Sequence, residues 1–231
     1  MPDRPAKTSI LGDPHEWRPQ RPLVSGRARA VTNAILEPLW DGDHVLLHFD
    51  ARPETTEGEA GLSLIDQWGE PPESADPALV VELRLAIRAG DAVIDGFLTR
   101  QATRSPDTVS TAPMLRTSFS VMSGRKVDAE IAPMPEKEPT PIAFVAVDLL
   151  RVDGQDLFDV PLLERKRVLD SVVEPSERVR VSPYTQPPLD PWLRAWKAAG
   201  FRGAMLKAAN SRYVPGRETE EWQEATVLGG R

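Results

Sequence analysis

The chain has 231 residues, 40% of them hydrophobic, and no cysteine. That length buries a sizeable core as one large domain or two lobes, and the missing thiols exclude disulfides and thiolate metal centres. A net charge of −7 with pI near 5.1 excludes a broad cationic surface for gripping duplex phosphates, while leaving room for a local basic patch. No run approaches the ~18 apolar residues of a membrane span, and the Pro-rich, charged N-terminus lacks a signal-peptide core. A cytoplasmic protein without membrane association is expected.

Residues 1–30 are rich in Pro and Arg with little apolar periodicity and are expected as an extended or partly disordered arm. Val31–Glu37 and His44–Phe49 read as strands around an Asp41-Gly42 turn, and residues 51–60 as a polar, acidic loop. Asp76-Pro77 is an N-cap followed by a first-turn proline, opening a helix over Ala78–Ala89 that Gly90 stops. Ala92–Gln101 returns to a strand, and the Ser/Thr/Pro-rich stretch 102–141 reads as a variable, exposed connection. Ile142–Leu150 is a continuous apolar strand expected at the centre of a sheet.

A helix is expected over Asp159–Val173, with Leu162, Leu163, Val168, Leu169 and Val172 as its core stripe and Arg165, Lys166 and Arg167 as a solvated face. Arg178–Ser182 is a strand. Trp192 and Trp196, at i and i+4 on a helix from Trp192 to Ala199, are expected to pack inward together. Gly203–Lys207 is the last firm strand. The Asp-Gly pairs at 41, 95 and 153 read as turn formers. His15, His44 and His48 have no ligand-like companions, so no metal site is expected; His44 and His48, four apart in one strand, face the same side.

Six segments carry chemistry in a fixed order: Glu37-Pro-Leu-Trp-Asp-Gly42, Ala92-Val-Ile-Asp-Gly-Phe-Leu98, Val145-Ala-Val-Asp-Leu-Leu-Arg-Val-Asp-Gly154, Gln155-Asp-Leu-Phe-Asp-Val-Pro-Leu-Leu-Glu-Arg-Lys-Arg167, Ala199-Gly-Phe-Arg-Gly-Ala-Met-Leu-Lys207, and Ser211-Arg-Tyr-Val-Pro-Gly-Arg217 with Trp222. Over roughly residues 31–226 this series resembles the adenylation domain of bacterial ATP-dependent DNA ligases. The resemblance implies an α+β nucleotidyltransferase fold, ATP-grasp-like, with antiparallel sheets flanked by helices and a cleft near Leu39, Asp95, Val147 and Lys207. It also implies a lysine that attacks the α-phosphate of ATP, with Mg²⁺ held by carboxylates.

Measured against that pattern the chain departs at the positions that do the chemistry. Leu39 stands where the nucleophilic lysine belongs. Phe97 and Arg202 replace the two metal-binding glutamates, Val147 replaces the adenine-stacking phenylalanine, and His44 replaces an arginine. Glu224 and Thr226 fall where a terminal lysine pair would meet the phosphates. Glu37, Asp41 and Lys207 are retained and, with Arg202, form the candidate nucleotide- or phosphate-binding set. Lys207 otherwise reads as a solvated strand-end charge, and Leu39 and Phe97 are expected to fill the vacated pocket. The chain ends nine residues after Trp222, too few for the five-stranded OB-fold that follows this domain in active ligases.

These departures predict a catalytically inactive adenylation domain that binds or regulates in DNA repair or ligation, without cofactor and without metal. Its expected partners are a DNA repair protein or, weakly, DNA. Two alternatives stand beside it: an active ligase using ATP and Mg²⁺ with a displaced nucleophile or a partner-supplied OB-fold, and a structural interaction protein.

Overall fold

A computed structural model describes residues 12–23, 31–53, 60–101 and 141–226. The stretch 102–140, most of the acidic loop, and residues 1–11 and 24–30 of the N-terminal arm lie outside the described residues. Within the arm, Pro14–Glu16 forms a 3₁₀ turn capped by Asp13, and Arg21–Leu23 forms strand β1.

Strand β2 (Ala34–Pro38) meets β3 (Asp43–Pro53) through the Asp41-Gly42 turn. Gly42 has φ +136°, and a Cβ there would lie 2.0 Å from the Leu98 carbonyl oxygen, so only glycine fits. Strand β4 (Ala60–Asp66), not foreseen in the sequence, lies antiparallel on β3. Helix α1 (Pro77–Ala86) opens as expected, with the Asp76 side chain accepting from the Leu79 N–H at 2.8 Å. It ends three residues earlier than the sequence suggests, because Ile87 leaves to pair with Val173.

Strands β5 (Asp91–Thr99) and β6 (Ala143–Val152) form the long antiparallel pair at the centre. Asp153-Gly154 makes the two-residue turn into β7 (Gln155–Asp156), both residues at positive φ as such a hairpin requires. Asp95-Gly96 does not turn: it lies inside β5, where Gly96 admits the Phe144 ring and the Val145 carbonyl. Helix α2 (Leu162–Val172), strand β8 (Val179–Val181), helix α3 (Leu189–Ala198) and strand β9 (Gly203–Ala208) follow. A further strand, β10 (Glu218–Thr226), extends beyond the last one expected and pairs parallel with β1, bringing the arm into the fold.

The result is α+β. Sheet A runs β1-β10-β9-β2; sheet B runs β4-β3-β5-β6-β7, with β8 parallel to β6. One face of sheet B packs under α1 and α2 through Val45, Leu47, Ile94, Leu79, Leu83 and Leu169. Its other face meets sheet A: Val145 and Val147 pack with Leu36, Ala204 and Trp196 of α3, whose Trp192 joins from the same helix with ring centroids 5.8 Å apart. Burying each of these large side chains contributes roughly 1.5–3 kcal/mol.

Helix α2 corrects the expected face. Arg165 and Lys166 are buried, while Arg167 alone of the three is solvated and pairs with Glu164. The buried stripe is Leu162, Arg165, Lys166, Leu169 and Val172; Leu163 and Val168 are only half-buried. Arg165 donates to both carboxylate oxygens of Asp148, at 2.8 and 2.7 Å, and to the carbonyls of Val160 and Ser211. Burial opposes its charge, but Asp148 outweighs that and raises the pKa of the guanidinium. Removing one member of such a buried pair strands the other, so Arg165→Met is expected to cost about 3–5 kcal/mol, read as a lower urea midpoint at unchanged slope.

Candidate functional site

Between the two sheets lies a cavity of about 130 Å³. Cross-strand register decides what faces it. Glu37 and Glu224 flank Met205 on neighbouring strands, and Lys207 stands between Ile35 and Trp222 one step along. Leu39, His44 and Phe97 line the cavity from the β2–β3 turn, β3 and β5, and Val147 from β6. Eight sequence-derived positions, Glu37, Leu39, His44, Phe97, Val147, Arg202, Lys207 and Glu224, therefore converge on one cavity. Asp95 lies behind the wall against His44, and Asp41 lies outside, paired with the exposed Arg202. Thr226 pairs with Gly203 at the end of β10.

The interior is charged and self-paired. Glu37, 1% exposed, holds Lys207 Nζ at 3.2 Å from Oε2 and Lys166 Nζ at 2.7 Å from Oε1. The second contact is a close ion pair without hydrogen-bond alignment, so Oε1 accepts no hydrogen bond. Lys166 spends a proton on the Val147 carbonyl at 2.9 Å. Lys207 lies 4.0 Å from the Trp222 ring centroid, a cation–π contact that adds to its pairing. Lys207 is thus buried, not solvated as a strand-end charge would be.

On the opposite wall Phe97 stacks on His44, ring centroids 4.4 Å apart and nearly parallel. His44 Nε2 lies 2.6 Å from Asp95 Oδ1, and the Tyr213 hydroxyl donates to Asp95 Oδ2 at 2.6 Å. Burial first, and then the Asp95 carboxylate, push the Tyr213 phenol well above its usual pKa, so it stays protonated and donating. The Gln20 N–H in turn donates to the Tyr213 oxygen at 2.8 Å, tying the N-terminal segment to the same chain of bonds. Arg202 points outward and pairs with Asp41 at 3.2 Å, both largely exposed.

The residues present do not suit a nucleotide–metal complex. Phe97 supplies no oxygen and Arg202 repels a cation, and no group of three or more His, Asp or Glu among the described residues could hold a metal ion. A cavity of about 130 Å³ also falls below the ~300–1,000 Å³ of small-molecule sites. Leu39 and Phe97 line this space without closing it entirely.

Residues 78–224 match the family described as the ATP dependent DNA ligase domain. The chain belongs to this family. A probable DNA ligase of Mycobacterium marinum is 30% identical over 218 residues, covering 89% of this chain but 38% of that protein. A DNA ligase of Thermococcus fumicolans is 24% identical over 209 residues, 89% of this chain and 36% of its own length. The chain thus spans well under half of each. Among solved structures, a mycobacterial DNA ligase D complexed with ATP and MES superposes with TM-score 0.61 at 17% identity, over 93% of this chain and 61% of that one. The ATP-dependent DNA ligase of bacteriophage T7, complexed with ATP, gives 0.53 at 13% identity over 92% and 69%. These likenesses establish the DNA ligase nucleotidyltransferase fold.

Two residues that brace the pocket from behind its lining are not identified from the sequence: Lys166, assigned to a solvated helix face, and Tyr213, present only as part of a motif. Lys166 was recoverable, since positions 162, 165, 166, 169 and 172 follow one helical stripe. Because two buried ammoniums share one carboxylate, Glu37→Gln is expected to destabilise the domain by roughly 3–5 kcal/mol. Adding Lys166→Met to that variant should restore part of the loss in chemical denaturation, since one stranded charge is then gone.

Proposed function

We propose that this chain is a catalytically inactive ligase-type adenylation domain, retained as a binding or regulatory module in DNA repair or ligation. The observation that carries the reading is Leu39, which occupies the nucleophile position, is 6% exposed and lines the cavity. A hydrocarbon side chain has no lone pair with which to attack phosphorus. Its surroundings support the same reading: Glu37 is occupied by Lys166 and Lys207, and Phe97 and Arg202 stand where metal carboxylates belong. ATP and Mg²⁺ are accordingly not cofactors of this domain. The partner is a protein of DNA metabolism, with DNA itself bound weakly; β10 sets Glu218, Glu220, Glu221 and Glu224 along sheet A, an arrangement that repels phosphates. Among the described residues no helix is long and apolar enough to cross a membrane.

Incubation with α-labelled ATP and Mg²⁺ followed by denaturing electrophoresis is expected to show no labelled band. Leu39→Lys is expected to show none either, because the new amine faces Phe97 and Arg202 and is itself buried without a counter-charge. A stoichiometric adduct on the unaltered chain, mapped to Lys166 or Lys207, would overturn the reading in favour of an active enzyme with a displaced nucleophile.

Calorimetry with ATP and with nicked duplex separates the remaining possibilities. Any binding should be weak, independent of Mg²⁺, and lost between low and moderate salt. Arg202 is the exposed cation at the cavity rim, so Arg202→Glu, which also sets a second carboxylate beside Asp41, should abolish it. Tight, Mg²⁺-dependent ATP binding contradicts an inactive site.

A further inference from the structure

A second cavity of about 650 Å³ lies open across sheet B, built from residues that the ligase-like pocket does not use. Its floor consists of two cross-strand rows. Ser63, His48, Val93 and Arg151 stand opposite one another on β4, β3, β5 and β6. Gly61, Asp50 and Asp91 form the next row, extended by Asp153, whose N–H donates to the Asp91 carbonyl at 2.9 Å. His15 of the 3₁₀ turn forms a wall, its ring stacked on His48 with centroids 4.7 Å apart. The size suits a ligand, and three strand spacings give the rows a length of about 14 Å.

The polar atoms of this groove are unequally used. Arg52 gives its Nε and a terminal nitrogen to Asp50. Arg151 gives Nε to Asp91 at 3.0 Å and a terminal nitrogen to Asp156 at 2.7 Å. Asp153 Oδ1 accepts from the Gly90 N–H at 2.7 Å. Among the described residues, Asp91 Oδ2 and Asp153 Oδ2 have no partner. Neither does His48 Nε2, although His48 is only 5% exposed. Burial, reinforced by the neighbouring His15, lowers the His48 pKa to about 3, so the imidazole is neutral, one ring nitrogen donating and the other accepting. The free carboxylate oxygens are acceptors, and the lining carries three aspartates against two arginines.

We infer that this groove docks a lysine- or arginine-bearing segment of a protein partner, whose N–H groups meet Asp91 and Asp153 beside the neutral, unpartnered His48. A phosphate backbone would face carboxylates here, and a groove four strands wide exceeds the reach of a single side chain. The inference holds whether or not the ligase-like pocket forms an adenylate, so the labelling experiment and the one below fail independently.

The test is fluorescence anisotropy of the full chain with a labelled six-residue peptide alternating Arg and Gly, beside an Asp-Gly counterpart. The Arg peptide should bind with a sub-millimolar Kd at low salt, weaken as salt rises, and outbind the Asp peptide. Asp153→Asn keeps the acceptor for Gly90 and tolerates the left-handed backbone at that position, where φ is +46°. It should weaken binding about two- to fivefold, the size of one exposed charge pair. Ser63→Lys, on an exposed strand position in the floor, should remove binding, whereas Glu221→Gln on distant β10 should leave it unchanged. Absence of binding at about 1 mM protein, equal weakening by Glu221→Gln, or indifference to both groove variants overturns the inference.

Discussion

Glu37 is the point at which the two layers of this domain are electrostatically joined. It stands on β2, takes the ammonium of Lys207 from β9 in its own sheet, and takes that of Lys166 from α2 beneath the other sheet. Lys166 then donates to the Val147 carbonyl on β6, so one carboxylate connects sheet A, helix α2 and sheet B. Burying three charges is costly unless each is met, and the pairing fixes how far apart the sheets sit. The cavity lies beside this paired cluster, with Glu37 and Lys207 in its lining.

The same logic extends around the cavity wall. Where the ligase pattern calls for a metal-binding glutamate, Phe97 lies on the His44 ring, and His44 is anchored by Asp95, itself fixed by Tyr213. Where a second glutamate belongs, Arg202 is neutralised by Asp41. Each departure is matched by a neighbour that absorbs its consequence, and the retained aspartates have found new work within the protein. Most polar groups of this site are thus engaged by neighbours, although Glu37 Oε1 is met by the Lys166 ammonium without accepting a hydrogen bond.

Local chemistry made much of this legible in the sequence. Asp76-Pro77 announced α1 because a side-chain cap and a fixed φ act within one turn. The apolar run ending at Leu150 announced the central strand, and the family resemblance carried by the ordered motifs implied that Leu39, Phe97, Val147 and Lys207 gather about one cleft. What stayed hidden depends on partners far away in the chain. Strand β10 is acidic and reads as surface, yet Trp222 and Gln223 are buried because β9 and β1 flank it. Arg165 and Lys166 look solvated by type; the helical stripe 162, 165, 166, 169 and 172 marks their face, but the counter-charges that make burial tolerable, Asp148 and Glu37, lie far away in the chain. Asp95-Gly96 has turn composition but lies mid-strand, where the missing Cβ serves the Phe144 ring.

The distribution of satisfied and unsatisfied polar atoms then separates the two cavities by what they are fit to do. In the ligase-like pocket, lysines, the histidine and most carboxylates are paired among themselves, and the remaining space is small. Across sheet B the guanidiniums of Arg52 and Arg151 are engaged, while aspartate oxygens and a buried imidazole nitrogen are left open. A buried polar atom without a hydrogen bond costs on the order of 1–3 kcal/mol; in the first cavity Glu37 Oε1 is compensated by the Lys166 charge, whereas His48 Nε2 in the second has no such partner. Fold kinship with ligases directs attention to the first cavity, but fold does not dictate function. The physical capacity for a new partner resides where hydrogen-bonding valence remains unspent, on the open face of sheet B.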